Sequence, residues 1–154
     1  MAEVLFYHLT QTPLERTLPD LLEKSLARGW RVLVKGDDAA RLDFLDNVLW
    51  SYRDEAFLPH GKKGCEQAED QPIYLTDGDE KPNNPDLLML VDGAKFPVDK
   101  MADFQRVCLL FDGNDADAVA AARLEWKATT EANLPAKYWA QDDGRWVQKA
   151  EYKP

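Results

Sequence analysis

Arg123 and Trp126 stand three residues apart in DADAVAAARLEWKATTEAN (115–133), a stretch whose composition predicts a long helix. Side chains at that spacing are neighbours on one helix face, and Lys127 follows one position further round. A guanidinium and an ammonium give charge-assisted hydrogen bonds to carboxylates. An indole beside them gives a broad apolar face with a polar edge. Together they suit a ligand that is both anionic and aromatic, which is the chemistry of peptide docking and not of bond breaking. A plainer role is open to the same residues. Trp126 could be core beneath Val119 and Ala122, and Arg123 could be solvated or paired with a nearby acid.

No rival centre has comparable support. A doubly wound sheet binds ligands at the carboxyl ends of its strands. Here those ends read HLTQTP and KGDD, without the glycines that let backbone amides cradle a pyrophosphate. DGNDAD (112–117) has acids but neither the ligand spacing nor the glycine position of a calcium loop. It reads as a strand end, a turn and an N-cap. Asp37 and Asp38 are better caps than an acid/base pair. No Ser–His–Asp or Cys–His arrangement has spacing in its favour. His8 and His60 are the only histidines, and with Cys65 and Cys108 they are too dispersed for a zinc site. No catalytic residue, metal or cofactor is expected.

The 154 residues suggest one domain, 1–154. With 45% apolar residues the chain can bury a sizeable core. Its net charge of −9 repels a nucleic-acid backbone, so no direct nucleic-acid binding is expected. The charge is uneven: six Lys and Arg against five Asp and Glu lie from Arg123 onward, so the first 122 residues carry −10. An acidic partner would land on the C-terminal quarter. No apolar run approaches the roughly 20 residues of a membrane helix. MAEVLFYHLTQ lacks a basic region and a cleavage site, so it reads as a first strand and not a signal peptide. Two free thiols, Cys108 buried in an apolar run and Cys65 in a polar loop, fit a reducing, cytoplasmic setting.

The elements that must position these residues alternate. VLFYHL (4–9) reads as a strand and TPLERTLPDLLEKSLARG (12–29) as a helix. Thr12 and Glu15 suggest a capping box, although Pro19 could delay the helix to about Leu18. Leu18, Leu21, Leu22 and Leu26 make its buried stripe. RVLVKG (31–36) is a strand, and 37–50 is a helix with Leu42, Leu45, Val48 and Leu49 inward. Residues 51–71 read as a polar connection. Strands follow at 72–76, 87–93 and 106–113, with a short helix near Val98–Phe104. After the long helix comes an aromatic tail of mixed charge. This order predicts an α/β domain with a mostly parallel sheet flanked by helices.

One series of words resembles a known family. It comprises the strand VLFYHL, then RVLV with an acidic helix start and RLDFLDNVLW, and then FLPH. In order and spacing these are similar to the chi subunit of bacterial DNA polymerase III holoenzyme, from Val4 to about Trp146. The segment 45–60 is the most specific part. The resemblance implies a Rossmann-like α/β fold without enzymatic activity. It also implies an accessory role in the clamp loader, with the psi subunit and the acidic C-terminal tail of single-stranded DNA-binding protein as partners. That tail ends in aspartates followed by an Ile-Pro-Phe-type terminus.

The family's tail-binding arginine falls on Arg123 and its aromatic neighbour on Trp126. Lys127 and Leu134 would continue the site, and Phe111 would form its floor. Leu134, where the family commonly has an aromatic ring, and the acid Glu125 depart from the pattern. For psi, the large apolar side chains after the second helix are candidates: Trp50, Phe57, Leu58, Pro59 and His60. They could equally staple their loop to the sheet. The alternative to an interaction module is a nucleotide-binding α/β enzyme.

Overall fold

The structure is a computed structural model that describes residues 2–51, 59–78 and 80–154. Eight strands form one sheet in the order β3-β4-β2-β5-β6-β1-β7-β8. They are β1 (Glu3–Leu9), β2 (Val32–Lys35), β3 (His60–Lys62), β4 (Ile73–Thr76), β5 (Leu87–Val91), β6 (Arg106–Asp112), β7 (Ala136–Asp142) and β8 (Arg145–Tyr152). Every neighbouring pair is parallel except β7 with β8.

Strand alternation sends side chains to two cores. Leu87, Met89 and Val91 of β5 join one core; Leu88 and Leu90 join the other. The first core is roofed by α1 (Leu14–Ala27) through Leu14, Leu18 and Leu22, and by α2 (Ala39–Ser51) through Leu42, Leu45 and Leu49. The second is roofed by α3 (Ala116–Glu131) through Ala122 and by a 3-10 segment, Val98–Asp103, through Met101. The sheet therefore carries helices on both faces, as the alternation of elements predicts.

Four expectations need correction. The Thr12 capping box does not form: the N-cap of α1 is Pro13, with no side-chain cap, and the Thr12 hydroxyl lies 2.8 Å from that of Thr17. Nor does Pro19 delay the helix, which runs through it from Leu14. Losing one N–H near the start of a helix is tolerable when the packed stripe, here Leu18 and Leu22, holds the segment in place. The polar connection contains a strand, β3, whose three residues are too few to show a period of two.

The fourth correction decides the shape of the site. The tail is a β-hairpin, β7 and β8, turning at Asp143-Gly144 with φ of 50° and 74°. Two consecutive positive φ values make the tight turn that Asp-Gly favours. Gln141 of β7 ties this hairpin to the β1–α1 loop. Its side-chain oxygen accepts from the backbone N–H groups of Thr10, Gln11 and Thr12 at 3.0, 2.9 and 3.1 Å.

Candidate functional site

The register of β1 against its neighbours builds the site. β1 sets His8 opposite Phe111 of β6 on one side and Ala140 of β7 on the other. α3 crosses this face and lowers Trp126 onto it. The indole meets Phe6 edge-on at 5.3 Å and Tyr138 at 6.0 Å between ring centroids. Tyr138 stacks on Phe6, and its hydroxyl is 2.7 Å from Nδ1 of His8. Phe111 lies beneath, edge-on to both His8 and Tyr138.

Above these rings opens a depression of about 480 Å³, lined by His8, Arg123, Trp126, Tyr138, Ala140, Lys149 and Ala150. Arg123 is exposed, and no carboxylate pairs with it among the described residues. Lys149 reaches the rim from β8, with Asp142 at 3.9 Å. Burial pushes the Tyr138 phenol up, and the Arg123 guanidinium pulls it part of the way back. The phenol is therefore neutral at physiological pH. The result is two cations beside an aromatic well with hydrogen-bonding groups at its base.

Trp126 combines the two roles weighed for it, packed against the second core while one side lines the depression. Phe111, only 8% exposed, backs the site from within, and Leu134, at 6%, lies in the same core. Lys127 points elsewhere on α3, in an exposed pair with Glu131 at 4.0 Å. Glu125 faces a different depression. Sequence reasoning missed His8, Tyr138 and Lys149. The signal for the last two was the Asp-Gly turn, which pairs Tyr138 with Ala150 across the hairpin.

At the far edge of the sheet, Trp50 is 55% exposed at the end of α2. Its ring centroid is 4.4 Å from that of His60, which is itself buried with Nε2 3.1 Å from Asp46 Oδ1. Phe44, on the same helix, is 42% exposed. Pro59 is half-buried. Phe57 and Leu58 lie outside the described residues.

A further depression, of about 740 Å³, sits where a doubly wound fold binds nucleotides. β1 leads to α1 on one face and its neighbour β6 to α3 on the other, so their carboxyl ends form the switch point. The lining is acidic: Asp92, Asp112, Asp115, Asp117 and Glu125 outnumber Lys95. Carboxylates in that position repel a phosphate. Among the described residues no group of three or more His, Cys, Asp and Glu could hold a metal ion. No described helix is long and apolar enough to cross a membrane.

Comparison with known proteins decides the family. The profile described as DNA polymerase III chi subunit, HolC, matches residues 1–137. The chain belongs to the DNA polymerase III chi subunit family. It is similar to a probable DNA polymerase III subunit chi of Rickettsia prowazekii, 30% identical over 91 residues, which are 59% of this chain and 55% of that protein. It is also similar to DNA polymerase III subunit chi of Pseudomonas aeruginosa, 38% identical over 69 residues, 45% of this chain and 47% of that one. The chain thus spans about half the length of the curated relatives it matches. The family match ends inside β7, so most of the hairpin that walls the depression lies beyond it.

Proposed function

We propose that this chain is a non-catalytic accessory subunit of the replicative polymerase, and that the Arg123 depression binds the acidic C-terminal tail of single-stranded DNA-binding protein. The observation that carries this reading is an aromatic well beside a guanidinium that has no carboxylate partner among the described residues. Arg123 and Lys149 meet carboxylates, and the well between Trp126 and Tyr138 takes the terminal phenylalanine. Membership of the chi family supports the choice of ligand. A second surface, Trp50 with Phe44 and the segment beyond α2, is where psi docks in this reading, since exposed aromatic anchors carry interfaces.

The test is a tail-peptide titration of wild type and Arg123→Ala. Removing one partner of a desolvated charge pair costs about 2–5 kcal/mol, so affinity should fall by at least about tenfold. A folded Arg123→Ala that binds like wild type refutes the site.

A further inference from the structure

The β7–β8 hairpin has a second face, and it lines a different groove. Alternation along β7 puts Tyr138 and Ala140 on the Arg123 side and Lys137 and Trp139 on the other. On that other side a groove of about 510 Å³ runs between the C-terminal half of α1 and the strands β1, β7 and β8. α1 packs over β2 and β6. Tyr7 and Trp146 meet edge-on at 5.1 Å in its floor, and Trp139 and Trp30 complete an aromatic lining.

The charge of this groove opposes that of the chain. Lys24, Arg28, Arg106 and Lys137 line it against a single carboxylate, Glu3. Glu3 serves Arg106 at 3.4 Å and Lys137 at 3.3 Å. Arg28 lies over the Trp30 ring at 4.8 Å and Arg106 over it at 5.1 Å. Lys24 and Arg28 are exposed and have no carboxylate partner among the described residues. The Arg106 Nε is buried without a hydrogen-bond partner. In a chain of net charge −9, a groove with three more cations than anions is a segregated feature.

We infer that this groove is a second docking site, for an acidic peptide segment bearing large apolar side chains. Lys24 and Arg28 take its carboxylates by charge-assisted hydrogen bonds. Trp139 and Trp146 take its apolar side chains. A nucleic-acid strand fits less well. A phosphate backbone longer than the groove would meet Glu151, which stands opposite Lys137 across the hairpin. Trp139 and Trp146 lie beyond the residues that the family profile matches.

The probe is a short peptide of alternating aspartate and phenylalanine, acetylated and amidated so that it offers no terminal carboxylate. It is titrated by calorimetry into wild type, Arg123→Ala and the double variant Lys24→Glu/Arg28→Glu. Both substituted side chains of the double variant are exposed, and circular dichroism checks that it folds. Saturable binding that weakens with salt, persists in Arg123→Ala and falls at least about tenfold in the double variant is expected. Three results overturn the inference: no saturable binding at low salt; loss in Arg123→Ala with the double variant unchanged; or an oligothymidylate that binds more tightly than the peptide and is lost in the double variant. A tail peptide with a free carboxylate is titrated into the same three proteins, and the part of its affinity that Arg123→Ala removes reports on the Arg123 site.

Discussion

At the scale of single residues, the site depends on His8 holding the Tyr138 hydroxyl at 2.7 Å. Gly113 protects that arrangement, because a Cβ at this position would overlap the His8 imidazole. In Gly113→Ala the ring must move and Tyr138 loses its partner. Tail-peptide affinity should drop several-fold while far-ultraviolet circular dichroism stays native; unchanged affinity would show that His8 does not shape the well. Burial has the largest influence on Cys108, and its thiol is pushed up to about 12. A group raised in the folded state stabilises fully below its unfolded pKa and ceases to do so as pH rises toward the folded one. Burial raises the Tyr7 phenol as well. Urea midpoints should therefore fall between about pH 9 and 12, and less steeply in Cys108→Ala. At pH 8 a thiol reagent should label Cys65, which is half-buried, and leave Cys108 untouched until the chain unfolds.

At the scale of elements, long apolar strands and periodic helices were legible. β5 and β6 are read directly from LLMLV and RVCLLF, because strands buried on both faces are continuous apolar runs. α3 was legible at its start, where Asp115 caps two backbone N–H groups, at 3.0 and 3.4 Å. Asp115→Ala should cost about 1 kcal/mol, a fall in melting temperature of about 2–4 °C for a chain this size. Peptide affinity should be retained, since Arg123 lies two turns further along α3. What the sequence concealed was the hairpin. Its residues mix polar, aromatic and small types, half-buried along most of β7 and mostly exposed in β8, so the two strands lack the apolar signature of the central strands. That concealment extended to half of the candidate site, because Tyr138 becomes a neighbour of Arg123 only when β7 pairs with β1, and Lys149 only when β8 folds back. His8 was hidden for a different reason. Nothing local marks a strand histidine as the floor of a site built by a helix more than a hundred residues later.

At the scale of the whole molecule, strand order separates the two proposed surfaces. Trp50 and His60 sit by β3, and the Arg123 depression sits by β7, six strands away. At about 4.8 Å per strand this is roughly 30 Å. Sites that far apart without shared partners act independently, so saturating the chain with psi should change tail-peptide affinity by less than about twofold. A larger change would mean that the two surfaces communicate or overlap. Charge is arranged to the same end. The switch-point crevice is lined by carboxylates, whereas the depressions around the hairpin carry the cations that an acidic partner requires.

The most direct test of the central claim is the titration of this chain with the acidic C-terminal peptide of single-stranded DNA-binding protein, at low and high salt, for wild type and Arg123→Ala. The account predicts saturable binding of about micromolar affinity, near −8 kcal/mol, weakened by salt and reduced at least about tenfold in the variant. Binding that ignores both salt and Arg123, or no binding at low salt, would contradict it.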